Sequence, residues 1–230
     1  DLTSTTGVGL LIDADNVTLN MNDRVVAPHV SSAHTGATAI QVTAGKSNVQ
    51  VMNGTIQSVD SNGTQRFAKG VEVPTTGTVN YTVKLNNVSV TRLTEVSNVC
   101  RGFDINGVND FSMENCHVND CNIASASGAK VLRGINLDTV NNLVVKNCES
   151  SNHVAVSSDS TSTVVGLYMN ACVDGVIENV TCTNNHGSAS GAGTCYGIHV
   201  LGTSKNLNFK NTNADRKSTR LNSSHQIISY

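Results

Sequence analysis

The chain has no tryptophan, aromatic residues are 3% of its 230 positions, and charged residues are 14%. So few charges and aromatics, beside abundant Ser, Thr, Asn and Gly, do not suit a helical protein, because those small polar residues compete poorly inside helices and favour turns and strands. The formal net charge is −2, which leaves no basic surface for nucleic acid. No apolar run is long enough to span a membrane. No segment keeps a helical period over a useful length. A disordered chain is excluded as well, since Val, Ile and Leu recur at regular intervals. The chain opens at Asp1 with neither an initiator Met nor a signal peptide, so a processed or truncated N-terminus is expected.

What the chain does have is a repeat. Its clearest copy spans residues 133–147 and opens Gly-apolar-x-apolar with Gly134, Ile135 and Leu137. A polar turn follows, then apolar-x-apolar-x-Asn with Leu143, Val145 and Asn147. The opening recurs at Gly9, Ala39, Gly70, Gly102, Gly134, Gly166 and Gly197, at successive spacings of 30, 31, 32, 32, 32 and 31 residues. The second half recurs with Asn53, Asn87, Asn115, Asn147, Asn179 and Asn211 at its end; in the first copy either Asn20 or Asn22 can hold that place. Further apolar residues alternate after the Asn, as in Val88 and Val90 or Val180 and Cys182. Short bursts of period-two alternation mean strands with one face buried.

A unit of about 31 residues cannot bury its own apolar face, but stacked copies pairing equivalent strands in parallel close a continuous core. The expected fold is therefore all-β: a parallel β-helix of about seven coils with three short strands each, right-handed because parallel crossovers are. Leu10, Ile40, Val71, Phe103, Ile135, Leu167 and Ile198 are expected to stack in one buried row. The Gly column is expected to bend the strand, because the apolar positions two before and one after it cannot share a face in strict alternation. The Asn column is expected to form an internal ladder of stacked amides. On that reading the glycosylation signals at Asn53, Asn87 and Asn179 are inaccessible, and Asn62 is the best acceptor.

With its three-strand coil, its Asn column and its opening Gly-Leu-Leu-Ile-Asp-Ala-Asp-Asn-Val-Thr-Leu-Asn, the chain resembles the right-handed parallel β-helix superfamily that includes pectate lyases and polygalacturonases. The resemblance covers residues 7–214. It implies that a sugar polymer binds across the outer face of the first strand, walled by the long loops before it, such as 122–130 and 157–163. The adjacent Asp pair of polygalacturonases is absent, and His186-Gly187 matches their His-Gly element only loosely. Residues 215–230 read as the translation of a common sequencing adapter. The expected organisation is thus a β-helix fragment over 1–214 and a non-native tail whose deletion leaves the melting temperature nearly unchanged.

Two repeat positions point outward on the first strand. They bring Lys69, Arg101 and Arg133 into one column and Glu72, Asp104 and Asn136 into another, with Tyr168 following. These seven are the candidate ligand site. Guanidinium forks suit carboxylated sugars, Tyr168 can stack on a sugar ring, and two carboxylates one coil apart can hold a cation or share acid and base roles. The competing reading is an exposed salt-bridge ladder of little energetic consequence. On the binding reading, Arg101→Ala with Arg133→Ala is expected to weaken binding of an anionic polysaccharide and flatten its salt dependence while folding survives. No cofactor is expected, Ca²⁺ only if the chain is lyase-like. Seven cysteines lack a zinc-like spacing; Cys116 and Cys148 should stack at disulfide distance, although small apolar filler is the plainer role. Three functions compete: a non-catalytic secreted or surface-exposed β-helix that binds a polysaccharide or cell-surface glycan, a polysaccharide lyase or hydrolase, and a structural spacer.

Overall fold

The structure, a computed structural model, describes residues 7–28, 34–59, 65–75, 79–95, 98–124, 128–157, 162–189, 193–201 and 203–214. The tail at 215–230 and Asn62 lie outside the described residues. Among the described residues all regular structure is β-strand, and the strands pair in parallel around a solenoid, a β-helix.

The first row stacks Val8–Ile12, His34–Val42, Gln65–Val73, the start of Val99–Glu114, the start of Lys130–Lys146, Ser162–Asn170 and Thr194–Leu201. Its register places Leu10, Ile40, Val71, Phe103, Ile135, Leu167 and Ile198 one above another. The inner five are fully buried and the outer two pack partly buried against the same core. Burying a side chain of this size contributes about 1.5–3 kcal/mol, so the row is a main source of stability. Only the inner strands have a parallel neighbour on both sides, and the solenoid has about five full turns rather than seven equivalent coils.

A second row follows, in which Val51, Leu85, Met113, Val145, Ile177 and Phe209 stack inward. In the central coils both rows belong to one strand: Val99–Glu114 and Lys130–Lys146 run through the intervening corner without a break. A third row holds His117–Asn119, Glu149–Ser151, Thr181–Cys182 and Asn213–Ala214. The expectation of three strands per coil needs one correction. Thr94–Glu95, Asn122–Ala124, Val154–Ser157 and His186–Ala189 form a separate four-stranded parallel sheet, so the middle coils carry a fourth strand where the sequence reads as long loop.

Corners are set by residues in the left-handed backbone region, φ between 48° and 61°. One column is Asn16, Asn48, Thr82, Asp110, Asn142, Asp174 and Asn206. Five residues further on lies the column Asn53, Asn87, Asn115, Asn147, Asn179 and Asn211, and five further again Arg92, Asp120, Asn152 and Asn184. Asn and Asp tolerate this conformation better than other residues with a side chain, which explains their recurrence. The amide ladder exists: Asn87 Nδ2 donates to Asn53 Oδ1 at 3.1 Å, and Asn179 Nδ2 to Asn147 Oδ1 at 3.0 Å. It is not internal, however. Asn87, Asn115, Asn147 and Asn179 are exposed at the corner, because a left-handed corner turns its side chain along the outside of the stack. In the first copy Asn20 takes the ladder place, its Oδ1 accepting from Asn53 Nδ2 at 3.3 Å.

The Gly column has a different cause from the expected bend alone. Register partners stop at Arg133 and resume at Ile135, so the strand does change phase at Gly134, yet Gly134 is not in the left-handed region. What requires glycine is close approach: a Cβ there would lie 1.8 Å from Ser150 Oγ and 2.4 Å from His153 Nε2. The third row presses against the first at this column, as Val118 does at Gly102.

Candidate functional site

Because strand register is fixed by the buried row, the outward positions on either side of it are fixed too. Lys69 pairs in register with Arg101, and Arg101 with Arg133; Glu72 pairs with Asp104, and Asp104 with Asn136; Asn136 pairs with Tyr168. All seven sequence-derived candidates therefore meet on one outer face of the first row.

They do not form an exposed ladder. Asp104 is 1% exposed, Asn136 1%, Glu72 9% and Tyr168 9%. The covering groups are the long cationic side chains of the neighbouring column and the amides beside them. Asp104 Oδ2 accepts from Lys69 Nζ and from Arg101 Nη1, each at 2.8 Å. Its Oδ1 accepts from Arg101 Nη1 at 2.8 Å, Asn136 Nδ2 at 2.8 Å and Asn106 Nδ2 at 3.0 Å. Glu72 is equally occupied: Oε2 accepts from Thr38 Oγ1 and Gln41 Nε2, each at 2.9 Å, and Lys69 Nζ donates to Oε1. The expectation of a weak surface ladder is thereby corrected, since carboxylates out of water are stable only when paired this fully. Arg101→Ala would leave the buried Asp104 short of a partner, so a cost in stability is expected where the double variant Arg101→Ala with Arg133→Ala was expected to fold unchanged.

Burial pushes the Asp104 carboxyl up, but the charges of Arg101 and Lys69 and the hydrogen bonds of Lys69 and Asn106 more than offset this and hold it below the ordinary carboxylate range. Burial pulls Lys69 down, and Asp104 and Glu72 outweigh it, leaving its ammonium above the usual value. Lys69 Nζ bridges the two carboxylates, the seat that a cation shared between them would take. Asp104 is thus held as an ion, and both carboxylates are engaged by cations of this chain.

Arg133 differs from the two cations stacked before it. Its own coil supplies Asn136 where theirs supply an acid, and Arg133 Nη1 donates to its Oδ1 at 2.6 Å. Among the described residues no carboxylate forms an ion pair with Arg133. Burial pushes its guanidinium below the usual value, and Tyr168 is the first of the groups opposing that. The guanidinium carbon lies 3.5 Å from the centre of the Tyr168 ring. Tyr168 meets His199 edge-on at 5.7 Å between ring centres, and His199 stacks on Tyr196 at 4.2 Å. One end of the face is therefore a carboxylate-rich, neutralised network, and the other a cation beside three rings.

The network also includes Thr38, Gln41, Asn106, Tyr196 and His199, which the site reading did not include. Thr38 and Tyr196 occupy the same repeat position as Lys69; Gln41 and His199 occupy that of Glu72. Both outward columns run through these four residues in the sequence, so their place on this face was legible; that they join the network was not. Asn106 lies outside both columns and had no such signal. The expected loop walls are partly the fourth row, and 125–127 and 158–161 lie outside the described residues. His186 is exposed in that row.

No protein-family model and no curated protein matches the chain. Among solved structures it is similar to an alginate lyase from Paenibacillus sp. str. FPU-7, at 12% identity over 88% of this chain and 92% of that one, with a TM-score of 0.27. The receptor-binding domain of the Siphovirus 9NA tailspike is similar at 10% identity and TM-score 0.28; the match covers 94% of this chain but only 49% of the tailspike chain, about half its length. PfbA, a surface adhesin of Streptococcus pneumoniae, is similar at 10% identity over 89% of this chain and 70% of that one, with a TM-score of 0.27. At such scores the reading of the site rests on its own residues.

Proposed function

We propose that this β-helix is a non-catalytic binder of an anionic polysaccharide or cell-surface glycan, working outside the cell or at a surface, with the polymer lying along the outer face of the first row. The observation that carries the reading is the charge balance of the network. Its cations are Lys69, Arg101 and Arg133 and its carboxylates Glu72 and Asp104, so 3 − 2 leaves one positive charge, and the pairing pattern leaves it on Arg133. A half-buried guanidinium without a carboxylate of its own is a seat for a carboxylate or sulfate from outside. The Tyr168, His199 and Tyr196 rings beside it offer apolar faces to sugar C–H groups. A binding role rather than a catalytic one follows from the same balance. Asp104 is held ionised by Arg101 and Lys69, so it is neither a protonated acid at neutral pH nor a base free to move, and Glu72 is tied up by Lys69, Thr38 and Gln41.

The test is retention on immobilised acidic and neutral polysaccharides, followed with and without added salt and with the flow-through monitored in the ultraviolet. Salt-sensitive retention of the acidic polymer, without unsaturated or shortened products, supports the reading. Equal retention of the neutral polymer would remove the role of Arg133, and the release of unsaturated products would make the chain a lyase.

A further inference from the structure

At the start of the first row, away from the outer face, a buried lysine is set against a carboxamide. Among the described residues Lys130 is the one buried lysine, at 0% exposure. Its Nζ donates to Asn98 Oδ1 at 2.8 Å. A carbonyl bond of about 1.23 Å then keeps Nζ within about 4 Å of the carboxamide carbon. Register makes the pair. Val131 stacks on Val99, and Val131 N donates to Asn98 O at 2.8 Å, so Lys130 lies one rung above Asn98 in the same column. The chain at Gly128 holds the carboxamide from another side. A Cβ on Gly128 would lie 3.1 Å from both Asn98 Oδ1 and Nδ2 and 3.4 Å from Cγ, and its φ of 82° favours glycine as well. Lys46, Lys69 and Lys146 meet carboxylates, which an amine does not attack. Lys130 meets an amide carbon, which it can. Glu95, also at 0% exposure, ends the strand Thr94–Glu95 three residues before Asn98. Three residues of chain reach about 10 Å at most.

We propose that Lys130 and Asn98 become joined by an isopeptide bond once the chain has folded, with Glu95 carrying the proton. The assignment rests on a fully buried amine held by the strand ladder against one carboxamide. Lys130 Nζ gives a proton to Glu95 and attacks Asn98 Cγ, and the Nζ–Cγ bond forms. As the tetrahedral carbon collapses, the Cγ–Nδ2 bond breaks. One hydrogen of Nζ passes to the leaving nitrogen, which departs as ammonia and takes the proton back from Glu95. One ammonium and one carboxamide thus become one secondary amide and one ammonium ion, with no oxidant, reductant or cofactor consumed. Asn98 stands at the exposed start of its strand, which gives the ammonia a way out. Folding supplies the proximity that makes so slow an exchange feasible. The product also replaces a buried cation by a neutral amide, and a cation out of water is the costlier group to keep inside. The bond closes one full coil, a loop of about 33 residues, and ties two successive rungs of the first row together.

The test is the intact mass of the folded chain, which should lie about 17 Da, one ammonia, below the mass of the sequence. After tryptic digestion, mass spectrometry should find the peptides carrying Asn98 and Lys130 as one branched species, uncut after Lys130. Lys130→Arg keeps a buried cation but not an amine that attacks an amide, Asn98→Ala removes the carboxamide, and Glu95→Gln removes the proton carrier. All three should show their full sequence masses. If any of them fails to fold, the branched peptide of the parent decides alone. A folded parent of full mass, with the two peptides separate, would overturn the proposal. So would a loss of about 17 Da that persists in any of the three variants, since the ammonia would then have left by another route. Neither result bears on glycan binding, which is read from the outer face.

Discussion

At the scale of single residues, the coil is governed by two special backbone positions that act for different reasons. Asn at the corners supplies a left-handed φ at low cost and adds an amide rung. Glycine beside the buried row supplies missing volume. The second reason predicts a severe effect from one methyl group. Gly134→Ala would put a Cβ on Ser150 Oγ and within 3.0 Å of Gly166 O, and a backbone oxygen held in a ladder cannot give way cheaply. The expected loss is roughly 2–4 kcal/mol in chemical denaturation, above the usual cost of overpacking because backbone as well as side chains must shift. A loss under about 0.5 kcal/mol would mean that this column tolerates a side chain and that the rows are less tightly pressed than the structure has them.

Along one element, the first row, the outward columns behave as a folded polar layer rather than a decorated surface. Asp104 shows this best, and pH is the natural probe. Its carboxyl is held below its ordinary value in the folded state, so its contribution to stability is fully present above the unfolded value near 3.9 and is lost as pH falls through the lower folded value. Lys69, raised in the folded state, behaves oppositely: its contribution is full below its unfolded value near 10.4 and is lost as pH rises through the higher folded one. Asp104→Asn keeps the shape and removes the charge. The melting-temperature difference between parent and variant should be largest near neutral pH and shrink steadily below about pH 4. A difference constant down to pH 2 would contradict the assignment of Asp104 as the buried, ion-paired centre. The columns themselves were legible in the sequence, since position in the repeat fixes which way Lys69, Glu72, Arg101, Asp104, Arg133 and Asn136 point. Their burial was not legible. It depends on how long side chains of one coil fold over those of the next, as Lys69 does over Asp104, and strand periodicity carries no record of that.

For the molecule as a whole, repeat spacing and inward alternation were enough to place the parallel rows and their register, because a one-residue slip would expose every residue of a row. Two features escaped. The fourth strand, as in Val154–Ser157, is short and flanked by polar residues, so it resembles loop in sequence and is defined only by pairing with its neighbours in other coils. The corners five residues on either side of the Asn ladder are mixtures of Asn and Asp, with one Thr and one Arg, and share a backbone angle rather than a side chain. What the solenoid achieves is to carry one cation, Arg133, to a face where the charges before it are neutralised. The most direct test is the affinity of Arg133→Gln for an acidic polysaccharide at low salt, measured beside the parent. The account predicts a loss of roughly ten- to a hundredfold, the worth of one charge-assisted hydrogen bond, with binding much less sensitive to salt and the melting temperature nearly unchanged. An affinity equal to the parent's, in a variant that melts at the parent's temperature, would contradict it.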